Sequence, residues 1–551
     1  MKRIHALLGA LLCLTSTQMT GRTITPDEAI ARVAGSSSMS KAPASYRLVH
    51  TDTGADGDAT IYVFDDNAGK RMFLSADDKA EALLGYVDAS ASGSDEMPPQ
   101  LQYWLREYSR QIEAIRGCES PLEAIAASVP ERAEIAPMLT TSWAQPAPFN
   151  NLCPQVNETR TLTGCGATAM AQVMNYFKWP AHGTGIAVAS GPNDITYSMD
   201  LATAHFDWAN MADDYDHNPT EAQKDAVALL MKACGYAAKT EYSINWSNST
   251  MVNIATALRE NFDYAPTVRA YQMVHYGLLR WEEMIYNNLA TTGPVIYRGN
   301  SMIEGGHIFV CDGYGGNGFF HFNWGWRGYY DGYFKLSALN PYYMYTGIDH
   351  GGFSEGQWAI LGIQRPKDGL TSPEPEMYQE GIINGSVSGS TVYLSAGWYN
   401  ASNETINTEF GVHIESRDGE SSFTPVYVSC GPATTLAPDY GWYEIGFTLP
   451  AQDMPDGDYN ITPVYRLLKQ GASWCTPIHN NVYPNHVILQ KTGTTYQLRF
   501  LEPYLMKISA VEWPETIYYG RTTELRLKFE NTSDKPAASY FDTRILDENY
   551  S

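Results

Sequence analysis

The segment Gly305–Trp324 reads GGHIFVCDGYGGNGFFHFNW, and it decides how the centre of this chain folds. Two runs of aromatic and β-branched residues flank a glycine-rich stretch around Gly315, which predicts a β-hairpin. With the turn centred on Gly315, His307 and Asn323 lie opposite each other, with Cβ atoms about 4.5–5.5 Å apart. An amide oxygen there would hold the imidazole in the tautomer that accepts a thiol proton. A register slip of one residue would move Asn323 to the other face.

A second segment supplies a candidate nucleophile. Cys165 follows Thr163 and Gly164 and precedes apolar residues at the i, i+3, i+4, i+7 spacing of a helix, which Pro180 ends. The free N–H groups of a first helical turn favour a thiolate over a thiol, although a small buried cysteine fits this segment equally well. His307 comes 142 residues after Cys165 and Asn323 follows it. Papain-like enzymes have this order, with a gap of about 130–150 residues.

Composition excludes several classes of protein. The 551 residues carry 37 basic and 61 acidic side chains, a net charge of −24, and no basic run, which argues against a nucleic-acid partner. With 44% hydrophobic residues the chain is globular, and its length allows roughly three or four domains. No Cys-x-x-Cys pair or histidine cluster points to a metal, and Asp52, Asp56 and Asp58 lack an ordered series of calcium ligands. We expect no cofactor.

The N-terminus predicts export. Lys2 and Arg3 precede an apolar run from Ala6 to Leu14, the pattern of a secretory signal peptide over residues 1–21. The run is shorter than the ~20 apolar residues of a membrane span, so we expect no span after signal removal and a secreted, cell-surface or periplasmic protein. An uncleaved anchor, or a lipid on Cys13, is the alternative. Seven cysteines then remain, an odd number that does not suggest a disulfide scaffold.

Composition divides the rest of the chain into four parts. Residues 22–133 contain two helical patterns, Pro26–Val33 and Gln100–Ile115, and a hairpin pattern over Ile61–Leu74. Residues 134–367 are rich in aromatics, Asn and Gly. Short alternating runs between turn residues predict a β-sandwich over 368–493 and the start of a further β domain over 494–551, which is short for a complete sandwich.

The two central motifs resemble those of the streptopain-like cysteine peptidases, the C10 family of the papain clan, over about residues 45–365. The most specific matches are Gly306–Gly313, Asn323–Trp326, Asp331–Phe334 and Thr163–Ala169. The resemblance implies an α+β papain-like catalytic domain over 134–367, acting as an endopeptidase on protein or peptide substrates.

The resemblance also implies roles for individual residues. Gln145, in the segment Trp143–Asn150, would stabilise an oxyanion together with the backbone N–H of Cys165. Trp324 would shield a hydrogen bond between His307 and Asn323 from water. We expect an S2 pocket that favours apolar side chains, with one wall formed by Ser301, Gly305 and Gly306.

The resemblance extends upstream to Phe73–Asp78 and Leu83–Tyr86, which are similar to the family's inhibitory pro-domain. It implies an α+β pro-domain over 22–133 that inhibits the enzyme intramolecularly and is removed by a cut around residues 131–137. Two departures from the family pattern are Gly166, where a larger residue is expected, and Arg327, where Gly is frequent.

Two other functions fit the sequence. The chain could be a surface adhesin in which the all-β region binds and the peptidase fold is inert, but an inert fold would be free to lose Cys165, His307, Asn323 and Gln145. It could also be a cysteine amidase acting on cell-wall peptides. The pro-domain resemblance and the Trp324-containing hairpin argue against that reading.

Overall fold

The computed structural model describes most of the chain between residues 22 and 531. The described ranges are 22–34, 46–66, 70–88, 97–117, 123–124, 132–156, 158–192, 195–244, 246–276, 278–301, 305–337, 343–344, 357–402, 404–417, 424–438, 440–479, 484–501, 506–512 and 526–531. The predicted signal peptide, with Cys13, lies outside them, as do Cys118 and Glu131.

One antiparallel sheet of ten strands runs through the first two thirds of the chain, in the order β1-β2-β3-β4-β16-β15-β14-β13-β18-β12. Its first four strands come from the N-terminal region and its other six from the central region. Its strands are β1 Arg47–Thr53, β2 Ala59–Asp65, β3 Arg71–Ser75, β4 Leu83–Val87, β12 Arg269–Gln272, β13 Val295–Ser301, β14 Gly305–Tyr314, β15 Phe319–Asn323, β16 Gly332–Lys335 and β18 Trp358–Leu361.

Helices cover both faces of this sheet. In the described part of the chain they are α1 Pro26–Arg32, α2 Pro99–Gly117, α3 Cys165–Phe177, α4 Glu221–Ala237, α5 Met251–Glu260 and α6 Leu278–Thr291. Helices α2 and α6 share one core with one face, while α3, α4 and α5 pack on the opposite face of the central strands. No helix among the described residues is long and apolar enough to cross a bilayer.

The N-terminal elements follow the sequence pattern. Helix α1 begins at a capping box between Thr25 and Glu28. The predicted hairpin is formed by β2 and β3, with Asp65 opposite Arg71. The apolar stripe predicted for α2 is buried, and its core members are Leu101, Trp104, Leu105, Tyr108 and Ile112. The amphipathic period therefore determines which side of α2 meets the sheet.

The predicted β14–β15 hairpin forms, but its predicted register is wrong. The turn is centred on Asn317, where Gly316, Asn317 and Gly318 all have positive φ angles, and a bulge between Cys311 and Gly313 moves the pairing back by one residue. Asn323 therefore lies opposite Val310 and not opposite His307. Glycine and asparagine tolerate positive φ, and three such residues in a row favour a turn centred on Asn317 over one centred on Gly315.

Short strands complete the central region. A four-stranded sheet of order β11-β10-β8-β9 lies beside α4, and two small pairs, β6 with β7 and β5 with β17, stand apart. Their bounds are β5 Glu123–Ala124, β6 Gln155–Val156, β7 Thr159–Arg160, β8 Ile186–Gly191, β9 Ile195–Asp200, β10 Glu241–Tyr242, β11 Ser247–Asn248 and β17 Tyr343–Met344.

The C-terminal region forms the predicted β-sandwich. Two sheets, β23-β20-β19-β25 and β22-β21-β24-β26-β27, enclose a core that contains Trp398, Phe410 and Phe447. β27 pairs with β26, so the sandwich continues beyond the predicted boundary near Thr494. The strands are β19 Met377–Ser388, β20 Thr391–Asn400, β21 Ile406–Ser416, β22 Val426–Leu436, β23 Gly441–Pro450, β24 Gly457–Leu467, β25 Ile478–His479, β26 Val487–Thr492, β27 Thr495–Arg499 and, in a separate pair, β28 Met506–Glu512 and β29 Arg526–Asn531.

The sandwich contacts the central region through buried polar groups. Arg269 donates to the carbonyl oxygens of Glu374 and Ala401 and forms an ion pair with Glu376 at 3.2 Å. His275 lies 2.6 Å from the Tyr399 hydroxyl, and burial lowers its pKa to about 3. A buried neutral histidine and a paired arginine attach the sandwich to the edge of the sheet, at and just after β12.

Candidate active site

Cys165 is the first residue of α3, as predicted. Gly164 precedes the helix with a φ of 87°, and the side chain of Cys165 is 9% exposed. The backbone N–H of Ile308 donates to Cys165 Sγ at 3.4 Å, which connects the helix to β14. Met170, Val173 and Met174 of the predicted apolar face are buried, but so is every other residue from Cys165 to Asn175, so α3 is enclosed on all sides over these turns.

Gly166 is explained by its surroundings. A Cβ atom at this position would lie 2.2 Å from Ser249 Oγ and 3.0 Å from Ile254 Cδ1. In this chain Ser249 fills the space that a larger residue would take, so the departure from the family pattern leaves α3 and Cys165 in place.

A cavity of about 410 Å³ brings three of the predicted residues together. Cys165, His307 and Gln145 all line it, with Gly306 in its wall. The remaining described lining residues are Pro99, Gln100, Leu162, Trp246, Ser247, Asn248, Arg298 and Trp326. Ser301 and Gly305 pair at the adjoining end of β13 and β14, and residues 302–304 between them are outside the described ranges. Pro99 and Gln100 begin α2, so the N-terminal domain forms part of the cavity's wall.

His307 contacts the N-terminal domain. Side chains alternate along β14, so His307 shares a face with Phe309, in the core that contains Trp104 of α2. The rings of His307 and Tyr103 meet edge to face, 5.8 Å apart. Gly299, opposite His307 on β13, allows this approach, because a Cβ atom there would lie 3.2 Å from Tyr103 and 3.3 Å from Trp104.

Asn323 is buried where α3, the segment before Gln145 and the end of β15 meet. Its Oδ1 accepts hydrogen bonds from Gln172 Nε2 at 3.1 Å and from the Gly325 N–H at 3.0 Å, and its Nδ2 donates to the Thr141 carbonyl at 2.8 Å. These bonds join α3, the segment before Gln145 and the end of β15. The amide oxygen is therefore held in a fixed orientation.

Trp324 is fully buried next to Asn323. Its indole N–H donates to the Tyr330 carbonyl at 2.8 Å, and its ring packs 4.7 Å from Phe309. Phe309 belongs to the same strand as His307. Trp324 thus packs against β14 in the core that this strand shares with α2.

Gln145 lies on a loop that Arg327 holds. Gln145 is 8% exposed, and its carbonyl accepts from the Thr163 N–H at 3.4 Å, close to Cys165. The Arg327 guanidinium donates to the Ala147 carbonyl at 2.9 Å and pairs with Asp216. The backbone N–H of Arg327 also donates to the Trp143 carbonyl at 3.2 Å. Arg327 has a φ of 57°, a backbone conformation that Gly, the residue expected here from the resemblance, adopts more easily.

Burial keeps Cys165 and His307 uncharged in this structure. It raises the pKa of the Cys165 thiol, and the opposing effects of the Ile308 N–H and of Arg298 are smaller. It lowers the pKa of His307 to about 4, with Arg106 and Arg298 acting in the same direction. The thiolate expected at the start of a helix is therefore not the favoured form while α2 covers the cavity.

The raised thiol pKa predicts slow alkylation of Cys165 in the full-length chain. At pH 7.5 we expect Cys165 to react with iodoacetamide more slowly than Cys475, because burial raises the pKa of both thiols but only Cys475 is exposed to the reagent. Peptide mass spectrometry of the two cysteines over pH 6–10 measures this. Equal rates at every pH would contradict the closed state described above.

Arg298 and Tyr103 are site residues that the sequence reasoning missed. Arg298 was overlooked because an isolated arginine in a strand is usually a surface residue. Its position was nevertheless informative, since a charged residue directly follows the apolar run Val295–Tyr297, nine residues before His307. Tyr103 belongs to the apolar face of α2, and no pattern in the sequence indicates which element that face meets.

Comparison with known proteins agrees with this geometry. The Peptidase C10 family matches residues 143–334, and the Spi protease inhibitor family matches residues 25–112. The solved structure of a Prevotella intermedia prointerpain A fragment is 33% identical with a TM-score of 0.51, covering 58% of this chain and 99% of the fragment.

Two curated relatives are similar in sequence. The thiol protease/hemagglutinin PrtT of Porphyromonas gingivalis is 29% identical over 510 residues, which is 85% of this chain and 56% of the relative. This chain thus spans little more than half of PrtT. Streptopain of Streptococcus pyogenes is 28% identical over 334 residues, which is 56% of this chain and 81% of streptopain.

These matches confirm the resemblance inferred from the two central motifs and the predicted fold class, an α+β peptidase domain preceded by an α+β inhibitor domain and followed by β structure. The chain belongs to the C10 family of cysteine peptidases and carries an inhibitory pro-domain ahead of the peptidase domain.

Proposed function

We propose that this chain is an exported cysteine endopeptidase made as a zymogen, and that it hydrolyses peptide bonds in proteins or peptides. The observation that carries the proposal is the cavity in which Cys165, His307 and Gln145 meet beneath the first turn of α2. Export is supported by the basic and apolar N-terminal sequence.

In the proposed mechanism Cys165 attacks the scissile carbonyl as a thiolate, and His307 takes the thiol proton and returns it to the leaving amine. The start of α3 stabilises the thiolate once the cavity is open to water. Water then hydrolyses the thioester, with His307 as the base. Asn323 lies on the α3 face of the sheet, opposite Val310, whereas His307 packs on Tyr103 at the other face. Asn323 can therefore orient His307 only after release frees the imidazole from Tyr103.

The proposed inhibition is steric and electrostatic. Helix α2 fills one side of the cavity, and Tyr103 holds His307 on the pro-domain face. Burial keeps both catalytic groups neutral, and for His307 the contact with Tyr103 of α2 contributes to that burial. Removal of the pro-domain would rehydrate Cys165 and His307, so that an ion pair between them becomes favourable.

We propose that the activating cut lies before Ile135, within the predicted range 131–137. Ile135 exchanges two backbone hydrogen bonds with Tyr314, at 2.7 and 2.8 Å. Leu139 donates to Asp312 Oδ2 at 2.8 Å. These contacts attach the chain from Ile135 onward to β14, so that it would stay with the peptidase domain after cleavage.

Apolar walls support an S2 subsite that binds apolar groups. Leu162, Trp246 and Trp326 line the cavity together with Gly306. Burial of one large apolar side chain against such walls contributes about 1.5–3 kcal/mol.

Gln145→Ala tests the proposed oxyanion contact. We expect kcat to fall about 10²–10³-fold with little change in KM, because the amide donates mainly to the charge that develops in the transition state. The measurement is steady-state hydrolysis of a fluorogenic peptide by the processed enzyme, normalised to reactive Cys165. Gln155→Ala, at an exposed position, is the control. A rise in KM at constant kcat would assign Gln145 to ground-state binding instead.

A further inference from the structure

Arg298 is the cation of the cavity. Among the described residues that line it, Arg298 alone carries a formal charge, because His307 is neutral here. The chain as a whole has a net charge of −24, so a basic group at this place is not a consequence of general composition.

The strand register directs Arg298 toward the nucleophile. Arg298 lies opposite Ile308, whose N–H donates to Cys165 Sγ. It also shares a strand face with Ile296, which packs in the core on the α3 side. Arg298 therefore lies on the Cys165 side of the sheet, two positions along β13 from Asn300, the partner of Gly306.

The surroundings of Arg298 favour an anionic partner. Burial lowers the pKa of its guanidinium, so part of its hydration has been removed. A carboxylate can form two parallel hydrogen bonds with a guanidinium, and such a pair is strongest in a confined site. Leu162 and Trp246 provide apolar surface in the same cavity for the methylene groups of a longer side chain.

We propose that Arg298 binds an acidic substrate side chain, glutamate in preference to aspartate, in the subsite bounded by Gly306. This proposal rests on the proposed peptidase function and refines its S2 preference. The subsite takes a side chain with an apolar stem and a carboxylate end. In wild type, a Glu substrate is expected to be cleaved about 10- to 100-fold better than its Gln isostere.

The alternative role for Arg298 is to stabilise the Cys165 thiolate alone. The two groups do interact electrostatically. A role limited to the thiolate would affect all substrates by the same factor and would shift the pH profile of Cys165 alkylation. A substrate-binding role changes the ratio between substrates.

The test uses the full-length chain after self-processing, with active thiol counted by a labelled alkylating inhibitor. Four quenched peptides differ only at the residue two before the scissile bond, which is Glu, Gln, Leu or Lys. kcat/KM is measured for wild type, Arg298→Gln, Arg298→Lys and Arg298→Glu. Arg280→Gln replaces an exposed arginine outside the cavity and is the matched control.

We expect the Glu/Gln ratio to fall to near 1 in Arg298→Gln, to stay above 1 in Arg298→Lys and to keep its wild-type value in Arg280→Gln. Arg298→Glu should prefer the Lys peptide. A wild-type Glu/Gln ratio near 1 overturns the inference and leaves the peptidase function intact, and this result does not depend on whether a variant folds. A Glu/Gln ratio that is the same in wild type and in Arg298→Gln has the same meaning. A uniform loss with a shifted alkylation profile overturns it in favour of the thiolate role. A chain that cleaves no peptide overturns both the inference and the proposed function.

Discussion

Cys165→Ala should leave the full-length chain uncut and lower peptide hydrolysis by about 10⁴-fold or more, because the variant has no nucleophile for the acyl transfer. Wild type and variant are incubated under reducing conditions, and their mass and their cleavage of unfolded casein are followed. We expect wild type to shed the segment that precedes Ile135. Since the side chain of Cys165 is small and the cavity lies beside it, the substitution should change stability little.

The matched control is Cys475→Ala, which removes an exposed cysteine from the sandwich and should process and hydrolyse like wild type. If the Cys165→Ala chain is cut with an added protease in the segment before Ile135, it should remain inactive. Casein cleavage by that trimmed variant would exclude Cys165 as the nucleophile.

Trp104→Ala should open the zymogen. Trp104 is 2% exposed and packs against Tyr297, Phe309 and Phe322 of the peptidase domain, and its indole N–H donates to the Lys335 carbonyl at 3.3 Å. Removing such a side chain costs about 3–5 kcal/mol, which is more than a hundredfold in the equilibrium between closed and open forms. Alkylation of Cys165 in the full-length chain should accelerate by about that factor.

Two further variants separate docking from folding of the pro-domain. Gln102→Ala changes an exposed residue on the same helix and should leave the alkylation rate unchanged. Gly299→Ala adds a methyl group on the peptidase side of the contact, within 3.2–3.3 Å of Tyr103 and Trp104, and should also accelerate alkylation. If neither Trp104→Ala nor Gly299→Ala changes the rate, α2 does not control access to Cys165.

The local parts of this site were predictable from the sequence, and the parts set by tertiary contacts were not. The start of α3 at Cys165 follows from Gly164, the apolar period and the stop at Pro180. The hairpin follows from its alternating runs, but its register depends on a bulge and on positive φ angles at residues 316–318, which no pairing rule applied to the sequence alone could supply. Asn323 was therefore placed opposite the wrong residue.

Electrostatics at the site also depends on contacts distant in sequence. The helix start favours a thiolate, as predicted, yet burial of the thiol outweighs it. The effect of Arg298 on Cys165 likewise arises from the pairing of β13 with β14. Composition and spacing identify candidate groups, whereas their protonation states follow from what covers them.

The single sheet shared by pro-domain and peptidase has a consequence for solubility. The two halves meet where Tyr86 pairs with Tyr333 and Gly85 with Phe334. The proposed activation would divide the sheet at that seam and leave β16 as an edge with unpaired backbone groups, which in many proteins invites aggregation. β16 spans only Gly332–Lys335 and ends in a lysine, so the freshly exposed edge of the mature enzyme is short and charged at one end.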